Sequence, residues 1–152
     1  MSAVLDARWY LHILIFNTHN PRHIRRPEQL VVALSNGTIA LYELSMGVMQ
    51  APQLRHVGNF QHYPDSTLVL SLAMDPNSAF TIATLSTGEV SVIDDVEMGN
   101  ATASRIWKAH DLEVWCSAWK NSDTILTGGD DALLKIWDLR QDHQTPQMVC
   151  KR

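Results

Sequence analysis

Between Ala109 and Arg140 the chain reads AHDLEVWCSAWKNSDTILTGGDDALLKIWDLR, a stretch that gathers His110, Asp111, Glu113, Asp130 and Asp131. Carboxylates next to an imidazole can activate water, take up a metal ion or hold a turn. Ester hydrolysis needs an activated nucleophile or water, a base, and donors for an oxyanion. No Gly-x-Ser-x-Gly elbow is present, which argues against a serine hydrolase. Cys116 alternates with Val114 and Ala118 and reads as a small core residue rather than a nucleophile. Trp115 reads as core, with the lining of a substrate pocket as the alternative. His19 and His23 have the spacing of helical zinc ligands, but Pro21 lies between them and no Glu follows His19, so no metal site is expected. What remains is water activation by an acid or imidazole drawn from His110, Asp111, Glu113 and Asp130, without a cofactor.

The elements that must position these residues recur. LVVALSNGTIALYEL (30–44), FTIATLSTGEVSVIDDV (80–96) and TILTGGDDALLKIWDLR (124–140) each run through an apolar or alternating segment, a three-residue polar turn and a second alternating segment. That is the pattern of a β-hairpin. The turns are Ser35-Asn36-Gly37, Ser86-Thr87-Gly88 and Asp130-Asp131-Ala132; glycine at the third position supplies positive φ without a Cβ clash. The equivalent positions are 51 and 44 residues apart, close to the ~40–45 of a four-stranded propeller blade. LVLSLAM (68–74) and EVWCSAW (113–119) precede two of the hairpins, and SRIWKAH (104–110) supplies an outer strand. No segment keeps a helical apolar stripe free of breakers, so the chain is predicted all-β.

Composition narrows the partners. Hydrophobic residues make up 45% and charged residues 18% of the 152, with a net charge of −4, as in globular proteins. Met1 to Pro27 hold four arginines against Asp6, while the rest holds eight Lys/Arg against fifteen Asp/Glu. An acidic bulk does not suit nucleic acid. The apolar run at 9–16 is far short of the ~20 residues of a membrane span. Two distant cysteines suggest a reducing compartment, and a cytoplasmic location is expected.

The last unit, with Ala109-His110 leading in and Trp137-Asp138 closing the third strand, resembles the WD-repeat β-propeller; Tyr42-Glu43 and Ile93-Asp94 occupy the matching positions in the two degenerate units. That resemblance implies a structural tetrad of His110, Thr127, Asp131 and Trp137, which assigns Asp131 to structure and leaves Asp111 and Asp130 as the foremost acids. His110-Asp111-x-Glu113-x-Trp115 together with Gly128 to Arg140 is similar to the WD-repeat diphthamide-biosynthesis family, methylated diphthine methylhydrolase, also called diphthine methyltransferase. The resemblance implies hydrolysis of the methyl ester of methylated diphthine on translation elongation factor 2. The alternative is a noncatalytic WD-repeat scaffold binding other proteins.

The expected architecture is therefore a partial WD-repeat propeller of about three four-stranded antiparallel blades, its ring not closed. Residues 1–29 read as an incomplete N-terminal strand and basic loop, 30–67 as a degenerate blade with a long loop, 68–108 as a degenerate blade, and 109–152 as the WD-repeat blade and tail. A closed propeller needs at least four blades, so the chain reads as a fragment or truncated gene model, inactive by itself.

Overall fold

The computed structural model describes residues 4–9, 29–45, 51–61, 63–64, 66–75, 80–94, 102–141 and 145–151. Among them every regular element is a β-strand: β1 (Val4–Trp9), β2 (Gln29–Leu34), β3 (Thr38–Ser45), β4 (Gln53–Gln61), β5 (Val69–Met74), β6 (Thr81–Leu85), β7 (Glu89–Asp94), β8 (Thr102–Lys108), β9 (Val114–Asn121), β10 (Thr124–Gly129), β11 (Leu133–Asp138) and β12 (Met148–Lys151). They form three four-stranded sheets, each in chain order, β1-β2-β3-β4, β5-β6-β7-β8 and β9-β10-β11-β12, with antiparallel pairing throughout. The first strands β1, β5 and β9 lie against one another in succession, so the sheets stack as blades about a common inner edge. The ring is not closed.

One boundary needs correction. The division at residue 29/30 falls inside the first sheet, because β1 pairs with β2 from Val4↔Leu34 to Trp9↔Leu30 and completes that blade. In the third blade only Ser122 and Asp123 separate the first two strands; in the first blade residues 10–28 do. A search keyed to short turns cannot join strands that far apart. The basic cluster at 20–27 and the His19/His23 pair lie outside the described residues.

Each central hairpin closes in the same way. An amide donates three residues back, Gly37 to Leu34 (3.2 Å), Gly88 to Leu85 (3.1 Å) and Ala132 to Gly129 (3.2 Å). The donor residue has positive φ in all three, 74°, 82° and 60°, as in a type I turn with a G1 bulge. A Cβ on Gly37 would come within 2.9 Å of Thr67 O, and one on Gly88 within 2.7 Å of Leu112 O. The segment leading into each following blade thus lies over the turn of the blade before it.

Two apolar cores lie between the blades. Val31, Ala33, Ile39 and Leu41 of the first sheet meet Val69, Leu72, Ala83, Leu85 and Ile93 of the second. Ile82, Val90, Val92 and Trp107 of the second meet Val114, Ile125 and Trp137 of the third. All five residues of β6 are buried, as a strand covered on both faces must be. Each fully buried Ile, Leu or Val is worth roughly 1.5–3 kcal/mol over leaving it in water. Trp107 and Trp137 cross edge to face at 5.7 Å, which adds about 0.5–1.5 kcal/mol. Polar bonds fasten the stack: Leu72 N–H donates to Asp6 Oδ2 (2.8 Å) and Trp119 Nε1–H to Ala73 O (2.9 Å), and the Arg105 guanidinium donates to Leu139 O.

Candidate functional site

The third blade holds the candidate residues, and its inner strand decides where they point. Gly128 pairs with Cys116 but Gly129 pairs with Val114, so Trp115 is an extra residue, a β-bulge. A bulge reverses the alternation on its far side. Val114 consequently turns into the core against the second sheet, while Cys116 faces away from it and is exposed. The reading of Cys116 as a core residue on the face of Val114 is corrected by this bulge. Trp115 is likewise not core; it is 57% exposed. The same bulge occurs at Leu5 and Leu70 in the first strands of the other sheets. The three bulges share only the valine before them, Val4, Val69 and Val114, a residue too common in strands to mark them.

His110, Asp131, Thr127 and Trp137 come together in one hydrogen-bonded chain. His110 Nδ1 lies 2.9 and 3.0 Å from the two Asp131 oxygens, and Nε2 lies 2.8 Å from Thr127 Oγ1. Trp137 Nε1–H donates to the same Oγ1 at 2.9 Å. With a neutral imidazole one polarity satisfies every group: Nδ1–H donates to the carboxylate, and the Thr127 hydroxyl accepts from Trp137 while donating to Nε2. Asp131 also accepts from the amides of Leu133 (3.1 Å) and Asp111 (3.3 Å). Burial raises its pKa, but the His110 bond and these amides outweigh burial and hold it below the ordinary carboxylate value.

The Gly-Gly step makes the chain of bonds possible. A Cβ on Gly129 would sit 2.6 Å from His110 Nδ1 and 2.9 Å from Asp131 Oδ1, and one on Gly128 would sit 2.8 Å from Cys116 Sγ. At the far end of the strand Asp138 receives Arg140 N–H (3.0 Å), Nε–H (2.9 Å) and Nη2–H (2.7 Å). These bonds hold its pKa down at about 2. Trp-Asp-x-Arg is thus a turn clamp, a role that the sequence reading did not assign.

The catalytic candidates divide. His110 has no exposed side-chain surface and both its nitrogens are engaged, so no nitrogen is open to a substrate. It leaves the set of acid/base candidates. Asp111 and Asp130 are exposed and Glu113 is half-buried. Asp130 N–H donates to Glu113 O at 2.8 Å, and Asp111 is tied to Asp131 as described, so the three acids share one end of the blade. A cavity of about 450 Å³ is lined by Gly129, Ala132, Leu133, Leu134, Cys150 and Lys151, and none of the three acids lines it. Among the described residues no group of three or more His, Cys, Asp or Glu is arranged to hold a metal ion.

Three successive four-stranded blades, the last with a His–Asp–Thr–Trp network, define a segment of a WD-repeat β-propeller. The family model described as WD domain, G-beta repeat, matches residues 102–138. Over most of its length the chain is similar to two proteins named for diphthine chemistry. A diphthine methyltransferase homolog of Dictyostelium discoideum is 28% identical over 145 residues, covering 92% of this chain and 35% of that protein. A diphthine methyltransferase of Schizosaccharomyces pombe is 27% identical over 141 residues, covering 91% of this chain and 37% of that protein. The chain therefore spans little more than a third of the relatives it matches. A chain in a crystal structure of the mitotic checkpoint complex superposes with a TM-score of 0.63 at 21% identity, over 82% of this chain and 35% of that one, which bears on the fold alone.

Proposed function

We propose that this chain is a three-blade part of a cytoplasmic WD-repeat hydrolase that removes the methyl ester from methylated diphthine on elongation factor 2. The observation that carries the reading is similarity over more than nine-tenths of the chain to two proteins named for diphthine methyl chemistry. Two free thiols fit a reducing cytoplasm. The reaction adds water across the acyl–oxygen bond, leaving a carboxylate, methanol and a proton. Asp111 and Asp130, both exposed at one end of the third blade, are the groups assigned to orient that water, and their carboxylates are not used by the His110 network.

A second reading, a noncatalytic scaffold for other proteins, draws on one observation: the only imidazole beside these acids among the described residues is locked in the network. Fold alone does not decide between the two. The test supplies the full-length protein to elongation factor 2 bearing the methyl ester and follows loss of the methyl group by mass. Release by the wild type, slowed in Asp111→Asn or Asp130→Asn, supports the hydrolase and these acids. An ester left intact by the wild type favours the scaffold. Undiminished release by both variants keeps the hydrolase and removes the acids from it. The 152-residue chain alone is expected to be inactive. Tagged full-length protein seen outside the cytoplasm would refute the location.

A further inference from the structure

The bulge in β9 spends its extra residue on Trp115, and the indole is 57% exposed. Leu112, three residues before it, is 48% exposed. The equivalent bulge residue Leu70 stays partly exposed although the third sheet packs against its strand. The position therefore lies at the margin of the gap between blades, where part of the side chain stays open even with a neighbouring blade in place. Tryptophan, with tyrosine and arginine, is enriched among the residues that carry most of the binding energy of protein interfaces.

Charge gives the sign of what it would meet. Asp111, Glu113 and Asp130 surround this stretch, and no described cation pairs with any of the three. Two ammonium groups of this end of the blade are bound to carbonyls, Lys108 Nζ to Thr87 O (2.5 Å) and Lys135 Nζ to Ala109 O (2.6 Å), while Lys151 lines the cavity beside Gly129. The backbone is also held in place. His110 N–H donates to Gly88 O (2.9 Å) in the preceding blade, Asp111 N–H donates to Asp131, and Asp130 N–H donates to Glu113 O. A surface fixed beforehand loses little freedom on binding.

We infer that the rim formed by Leu112 and Trp115, with the carboxylates of Asp111, Glu113 and Asp130 around it, docks an arginine- or lysine-bearing segment of a partner protein. The guanidinium or ammonium lies over the indole, and the carboxylates receive its N–H donors. The inference does not rest on the hydrolase reading, because it needs no chemistry from the acids.

The test follows the indole N–H signals of the five tryptophans of the isotope-labelled 152-residue chain during titration, at low ionic strength, with a capped peptide of alternating arginine and glycine. The control peptide carries citrulline in place of arginine. The Trp115 signal, assigned by its absence in Trp115→Phe, is expected to move to saturation with the arginine peptide and not with the citrulline one. Signals of buried Trp107 and Trp137 should stay in place, which reports that the fold is intact. Trp115→Ala, and the triple variant Asp111→Asn, Glu113→Gln, Asp130→Asn, should each weaken binding about fivefold or more, and Trp115→Phe should keep most of it. A Trp115 signal that does not move in the folded wild type overturns the proposal, as does an equal shift with citrulline. That wild-type comparison is decisive even if a variant fails to fold.

Discussion

The polar network of the third blade depends on what one residue lacks. Gly129 leaves the space that the His110 imidazole and Asp131 carboxylate occupy, and a methyl group there must displace one of them. Gly129→Ala is expected to destabilise the chain by roughly 1–3 kcal/mol, the usual cost of overpacking, measured by urea unfolding. Asp131 gives a pH signature. Its folded-state pKa is lowered, so the unfolded chain takes up a proton first as pH falls. The stabilisation is whole above the ordinary carboxylate value near 3.8 and is lost as pH drops through the lower folded value. Between neutral pH and pH about 3 the wild type should lose more stability than Asp131→Asn, itself less stable at neutral pH. Equal losses would show that the carboxylate does not feel its network. Asp138, held at about 2 by Arg140, adds to the slope in the same direction in both proteins.

At the scale of the strand and turn, the three hairpins share one conformation but not one residue. Gly37 and Gly88 take positive φ freely, whereas Ala132 takes it at 60° against the clash of its own Cβ, which costs roughly 1–2 kcal/mol. Ala132→Gly is therefore expected to raise stability by about 1 kcal/mol, less the backbone entropy that glycine loses on folding. A melting point that falls would mean that Ala132 gains a compensating contact. The bulges act at the same scale. Alternation along β9 suggested that Val114, Cys116 and Ala118 share a face, and one inserted residue, Trp115, sent Val114 inward and left Cys116 outside.

At the scale of the whole molecule, the third sheet has one face on the second sheet and one without a described partner. The pairing register sets Cys116, Gly128, Leu134 and Cys150 in one row on that face, and Ala118, Leu126, Ile136 and Met148 in the next. Leu134 is 41% and Met148 53% exposed. A flat apolar face beside the exposed edge strand β12 favours association. The chain is expected to associate into oligomers as its concentration rises, and Leu134→Lys with Met148→Lys should shift it toward monomer. A wild-type chain that sediments as a monomer at all concentrations would show that the face is covered.

The sequence by itself carried what is local and repeated: the strand periods, the turn chemistry and the spacing of the blades, each readable because backbone sterics act over a few positions; the His–Asp–Thr–Trp group was legible only through the resemblance of the last unit to the WD-repeat propeller. It did not carry parity across a bulge, since one added residue reverses faces without changing composition. Nor did it show that β1 belongs with β2 across residues 10–28, because pairing over that distance leaves no local mark. The exposure of Cys116 and Trp115 and the enclosure of His110 were decided by the tertiary structure alone, because burial depends on which sheet lies opposite and periodicity names a face without naming its neighbour.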